Sequence, residues 1–218
     1  MLMVYPAKYH DRFGEEATAI ENDGTTLRMV VREIEFTGRM FDDWEPSTPA
    51  SSPQLTNFPL NRGELCSYTL ECEIPLPLVK ASQPTQAILR VHLELGEPRA
   101  NGGVDREDLK LELSINGQSY KSSGRNGWFE DELIDIQAML PTDVHMKCCF
   151  TCAYSDYNPA GHGLFGGLIC FRNHKREYLS LTGKQAVFQL IEKTNEIVQE
   201  TYLCPEFEKR VPGTGYRG

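Results

Sequence analysis

Polar and apolar residues alternate with a period of two along much of the first two-thirds of this chain. Cys66, Tyr68, Leu70, Cys72 and Ile74 share one side, and Ser67, Thr69, Glu71 and Glu73 share the other. The same alternation sets Leu89, Val91, Leu93 and Leu95 against Arg90, His92 and Glu94. It recurs with Leu109, Leu111, Leu113 and Ile115 against Lys110, Glu112 and Ser114. Successive side chains of a strand point to opposite faces, so these runs predict β-strands with one dry and one wet face. Asn116-Gly117 predicts a type I′ hairpin into 118–121, because both residues accept a positive φ. Asp23-Gly24 predicts an earlier hairpin between 19–22 and 26–36. The architecture implied is an antiparallel sheet packed on one side, or a sandwich.

Further along, the period changes. Over 128–140, Phe129, Leu133, Ile136 and Leu140 fall on one helical stripe. Glu130, Asp131 and Glu132 occupy the first turn, where the helix dipole favours anions, and Pro141 closes the segment. A second helix is predicted over about 183–201, opened by a Thr182/Gln185 capping box and buried through Val187, Leu190, Ile191, Thr194, Ile197 and Val198. Strands are predicted over 144–154 and 168–172 between the two helices. Pro46, Pro49, Pro53 and Pro59, with interspersed serines, predict a loop without regular structure over 46–63. A second polar loop surrounds Gly102-Gly103, and there is no internal repeat. The expected fold is α+β: an antiparallel β-sheet or sandwich, then a cysteine-containing α/β region with two helices. The two regions, 1–125 and 126–218, are expected to pack as one unit.

Charge narrows the partners. The chain of 218 residues has a formal net charge of −9. Residues 1–144 carry 24 acidic and 13 basic side chains, and 145–218 carry 7 and 9. Nucleic-acid binding needs basic surface to displace counterions, and Lys147, Arg172, Lys175, Arg176, Lys184 and Arg210 are scattered, so nucleic acid is an unfavoured partner. An acidic surface suits a protein partner with a basic one. No run approaches the ~20 apolar residues of a membrane span, and the first residues do not read as a signal peptide, so a cytoplasmic setting with reduced thiols is expected.

Seven cysteines, an odd number, do not suggest a disulfide framework. Cys66, Cys72 and Cys148 sit among apolar neighbours and read as buried thiols. Cys149, Cys152, Cys170 and Cys204 are spaced C-x₂-C-x₁₇-C-x₃₃-C, a set that can supply four thiolates to one tetrahedral zinc. The competing reading is four more buried thiols. A regular strand through 144–154 would point Cys149 and Cys152 to opposite faces, so ligation requires a turn at Phe150-Thr151. A redox C-x₂-C normally opens a helix after a strand, and Ala153-Tyr154-Ser155-Asp156 does not resemble one. His162, in Gly161-His162-Gly163, could replace one cysteine as a ligand. Ser155, Asp156 and His162 can also be read as a catalytic set, although no nucleophile elbow is present and turn-building explains the local glycines.

The segments Cys149-x₂-Cys152-Ala153-Tyr154-Ser155-Asp156-Tyr157, Gly163-Leu164-Phe165-Gly166, Cys170-Phe171-Arg172-Asn173, 199–208 and 212–218 resemble an uncharacterised bacterial family known only as a domain of unknown function. The resemblance covers about 128–218. It implies no activity, but it places Cys149, Cys152, Cys170 and Cys204 together as a set. The function expected is a non-enzymatic acidic binding protein with a structural zinc site, of the kind that neutralises a protein partner such as a toxin; the partner class is an analogy. The alternative is an enzyme with its site in the Asp156/His162 loop near the metal.

Overall fold

In the computed structural model of the chain, the described residues are 2–100, 103–125, 127–161, 163–194 and 196–216. The strands and helices run β1 (Met3–Asp11), β2 (Gly14–Asn22), β3 (Leu27–Val31), β4 (Ile34–Gly38), β5 (Glu45–Pro46), β6 (Leu60–Asn61), β7 (Glu64–Leu65), β8 (Tyr68–Lys80), β9 (Gln83–Leu95), β10 (Glu107–Ile115) and β11 (Gln118–Lys121). They continue with α1 (Phe129–Met139), β12 (Val144–Met146), β13 (Ser155–Tyr157), β14 (Leu168–Cys170), α2 (Lys175–Leu179), α3 (Lys184–Ile191) and β15 (Ile197–Val198). The fold is α+β.

Among the described residues, one antiparallel sheet dominates, in the order β11-β10-β9-β8-β1-β2-β3-β4-β5, with β12 added to β8. The three alternating runs become β8, β9 and β10, and every residue expected on their dry face is buried. β8 is longer than its alternation suggests, because it runs on through Pro75 and Pro77. Both prolines face β9 across the ladder, but β1 pairs with β8 only as far as Ala7↔Cys72. Proline is tolerated where no neighbour claims its missing N–H.

Turn chemistry explains the strands that alternation missed. Asn116-Gly117 forms the expected hairpin, with φ of 49° and 80°. Two further tight hairpins place non-glycine residues at positive φ: Arg32-Glu33 splits the run expected over 26–36 into β3 and β4, and Ala81-Ser82 joins β8 to β9. Neither pair is a strong turn signal in sequence. Nor is 46–63 wholly irregular. It contains a 3₁₀ turn at Pro53–Asn57, with Leu55 and Phe58 buried.

The main core crosses residue 126 without interruption. Phe129, Leu133 and Ile136 of α1, Val144 and Met146 of β12, and Leu164 and Phe165 join the sheet's buried face. Phe165 stacks on Phe41 at 4.7 Å and meets Phe129 edge-on at 5.2 Å.

Two expectations for the C-terminal region are corrected. The second helix covers only Lys184–Ile191, with Gly183 at its N-cap and no side-chain cap from Thr182. Ile197-Val198 is instead a strand on β14, so β-branched residues that fit a helical stripe are claimed by sheet pairing. The strand expected over 144–154 stops at Met146 and gives way to a 3₁₀ turn at Cys149–Thr151. No helix among the described residues is long and apolar enough to cross a membrane.

Candidate metal centre

The 3₁₀ turn supplies the bend that zinc ligation requires. Cys149 N–H donates to Tyr202 O at 2.7 Å, and Cys152 N–H turns back to Cys149 O at 3.1 Å. Cys170 ends β14, and Cys204 opens a turn in which Phe207 N–H donates to Cys204 O at 3.1 Å. Cys149, Cys170 and Cys204 pack in one buried cluster with Tyr157, Leu168 and Val198. Cys152 packs beside it against Ala153, Tyr154 and Phe207. Burial pushes the Cys149 thiol up, and the neighbouring Cys152, Cys170, Cys148 and Cys204 push it the same way. Cys149, Cys170 and Cys204, up to 55 positions apart in the chain, thus share one cluster, and Cys152 closes the turn that begins at Cys149.

Donors converge on these sulfurs. Glu206 N–H points at Cys204 Sγ, 3.3 Å away, and the Arg172 guanidinium lies 3.5 Å from the same atom. Burial raises the Cys170 thiol, while the Arg172 backbone N–H and side-chain charge oppose that rise. At Cys170 such donors offset burial only in part, and its thiol stays raised. As placed, the His, Cys, Asp and Glu side chains of the described residues form no ready metal-binding group of three or more. The other three cysteines, Cys66, Cys72 and Cys148, are buried as well.

The candidate catalytic loop has other work. Asp156 is 2% exposed. Tyr178 O–H donates to its Oδ2 at 2.8 Å, and the Tyr157 N–H occupies Oδ1 at 2.9 Å. Arg210 then donates to the Tyr178 hydroxyl at 3.0 Å, to Cys152 O at 2.9 Å, and to Ser155 O. Burial, then the Asp156 charge, pushes the Tyr178 phenol up to about 12. The Ser155 hydroxyl donates to Cys149 O, inside the turn. These contacts pin the C-terminal tail to the cysteine cluster. The tail forms a turn in which Thr214 N–H reaches Val211 O, and Gly215 lies so close to Tyr178 that a Cβ would fall 2.7 Å from its ring. His162 lies outside the described residues.

Sequence reasoning did not find the polar joint made by 199–201, all three of which are buried. Gln199 exchanges two hydrogen bonds with Asn22, at 2.6 and 2.9 Å. Glu200 accepts from Gly166 N–H at 2.6 Å, Gly167 N–H at 3.3 Å and Tyr157 O–H at 3.0 Å. Burial raises the Glu200 carboxyl, and these donors oppose the rise. Gly166, at φ 79°, leaves no room for a side chain, because a Cβ would meet Arg39 O at 2.6 Å. Nothing in hydrophobic periodicity marks such residues, since their partners lie up to 177 positions away.

No curated protein and no solved structure matches the chain. A family model does match, over 3–155, which covers the sheet, α1 and the C-x₂-C turn. That span differs from the 128–218 stretch on which the resemblance was drawn, overlapping it only from 128 to 155. With well over half its length matched, the chain belongs to a family of unknown function (DUF6304).

Proposed function

We propose that the chain is a non-enzymatic binding protein whose C-terminal third is held by a structural zinc on Cys149, Cys152, Cys170 and Cys204. The observation that carries this reading is the gathering of Cys149, Cys170 and Cys204 in one buried cluster, with Cys152 closing the turn that begins at Cys149 and with backbone and Arg172 donors directed at the Cys170 and Cys204 sulfurs. Four thiolates would close a tetrahedral site and leave no position for a reacting water. Metal bound there would tie the 3₁₀ turn, the end of β14 and the Cys204 turn into one unit, since binding energy at such a site is folding energy.

The partner reading, a protein with a basic surface, is supported by the overall charge and by one cleft. Asp42, Glu64 and Glu107 line a hollow of about 230 Å³ together with Arg62, and none of the three carboxylates is ion-paired with Arg62 or another described cation. Burial, then Glu107 and Asp43, raises the Asp42 carboxyl to about 7. An incoming lysine or arginine would relieve that crowding. The enzyme reading has weaker support, because both Asp156 oxygens are taken by internal donors.

Elemental analysis of protein purified without chelators tests the first half, with about one zinc per chain expected. Protein free of metal, with unchanged stability on chelation, would end it. The second half is tested by binding of a lysine-rich peptide. That binding should be lost on Glu64→Lys/Glu107→Lys, and unchanged binding would remove the cleft from the proposal.

A further inference from the structure

A second cleft carries the opposite charge. It encloses about 430 Å³ between β12, the 3₁₀ turn and the C-terminal tail. Phe150 and Pro212, backed by the buried Met146, make its apolar walls, and Lys209 and Arg210 supply its charge beside His145. No carboxylate lines it. In a chain of net charge −9 that is an unusual grouping. None of the three, nor the adjacent Lys147, is ion-paired with a described carboxylate. Burial, then the Lys209 and Lys147 charges, holds the His145 imidazole below its usual range. Like charges gathered around an apolar hollow cost stability unless something of opposite sign enters.

We propose that this cleft binds a small organic carboxylate, its apolar body against Pro212 and the edge of Phe150, its charge at Lys209 and the neutral His145 imidazole beside it. The size suits a small ligand, since such pockets run from roughly 300 to 1,000 Å³ with mostly apolar walls and few polar groups. A phosphate ester fits less well. Phosphate recognition favours a free guanidinium fork or a nest of backbone N–H groups. Both terminal nitrogens of Arg210 are already committed to Tyr178, Cys152 and Ser155, and its buried Nε has no acceptor. What remains is the point charge of Lys209, an imidazole and an apolar surface.

The site shares the 3₁₀ turn with the proposed metal centre but uses none of its cysteines, so with the protein kept metal-replete its failure would leave the function proposed above untouched. The full chain is titrated with 8-anilinonaphthalene-1-sulfonate, followed by displacement with octanoate and, separately, with 1-octanol. One saturable site per chain is expected, with octanoate displacing the dye about tenfold better than the alcohol of equal length. Lys209→Glu should weaken octanoate by about tenfold or more, whereas Lys184→Glu, on α3, should not. Lys209 is exposed and joins the fold through a backbone bridge to Cys152, so its side chain can be changed without opening the core. His145→Gln gives a second variant, and methyl NMR of Met146 gives a readout within the cleft. Equal displacement by octanol would reduce the cleft to a greasy groove. Unchanged octanoate affinity in both variants, a silent Met146 methyl, or no saturable binding at millimolar ligand would each overturn the proposal.

Discussion

The sheet and the C-terminal third of this protein are held together by different physics. Across β8, β9 and β10, a continuous row of leucines, isoleucines and valines is withdrawn from water, and antiparallel ladders satisfy the backbone. Each fully buried aliphatic side chain there stabilises the fold by roughly 1.5–3 kcal/mol. Beyond Met146 the strands shrink to two or three residues. Buried polar groups take over: Glu200 on the 166–167 amides, Gln199 on Asn22, Asp156 on Tyr178, and four thiols around a turn. Apolar packing tolerates loss in increments. A buried polar network does not, because removing one partner strands the others without water. The two regions should therefore fail differently.

The largest difference should come from metal. Strong chelation, or Cys170→Ala, is expected to release zinc and loosen 147–216 while β8–β10 keep their hydrogen-exchange protection. Structural zinc in small domains contributes on the order of 10 kcal/mol, enough to decide whether such a region folds. Cys66→Ala and Cys148→Ala should cost only about 1 kcal/mol each, as small cavities. Exchange measured on the three variants checks this. Equal, mild effects would mean that all the cysteines are simply buried.

Next in size is Glu200→Ala, expected to cost about 3 kcal/mol, because it removes the acceptor from the buried Gly166 amide and from the half-buried Gly167 amide. Exchange should accelerate first at 164–170 and 197–204. A loss spread evenly over the sheet would show instead that the two regions unfold as one cooperative unit.

The same contrast explains what could be read in advance. Period-two alternation made β8, β9 and β10 legible, and α1 was legible from its stripe and acidic first turn, because each pattern is local. Ile197-Val198 defeated that approach: their spacing suits a helix, and only Leu168 and Ile169, some 30 residues earlier, make them a strand. The Cys149–Thr151 turn was legible only as a requirement of ligation, since Phe150 and Thr151 carry no turn signal. For the candidate metal site, cysteine spacing identified which residues to group. It could not supply Arg172 and Glu206 as donors to sulfur, because neither is distinguished from any other surface charge in sequence.

A third experiment tests whether polar burial in the sheet region is a cost rather than a support. Asp42 has a buried Oδ1 with no partner, and its carboxyl is raised to about 7. In the unfolded chain it ionises near 4. Below that, both states are protonated and Asp42 costs nothing. As pH rises from about 4 to about 7 the unfolded chain loses its proton first, so stability falls, and the full penalty remains above 7. Asp42→Asn should thus stabilise the protein by about 2 kcal/mol at pH 8 and hardly at all at pH 4. Thermal unfolding of both proteins at the two pH values measures the difference. A pH-independent gap would mean that the charge is not the cause.

The smallest effect should come from the sheet's wet face. Glu71 and Glu73 point outward, as their alternation predicts, but each has a cross-strand neighbour: His92 at 3.2 Å and Arg90 at 2.9 Å. Glu94–Arg106 and Glu112–Lys121 continue the pattern, so this face neutralises itself. Exposed pairs of this kind contribute less than about 1 kcal/mol, and Glu71→Lys/Glu73→Lys should leave the melting temperature nearly unchanged. It should also alter association with a lysine-rich peptide far less than Glu64→Lys/Glu107→Lys does, because the latter carboxylates are not ion-paired with a described cation, although Arg62 lines the same hollow. Association rates at low salt, where such steering is strongest, compare the two reversals directly. If the Glu71/Glu73 reversal slows association more, the acidic contact surface lies on the sheet face, and the hollow beside Asp42 is only a strained corner of the core.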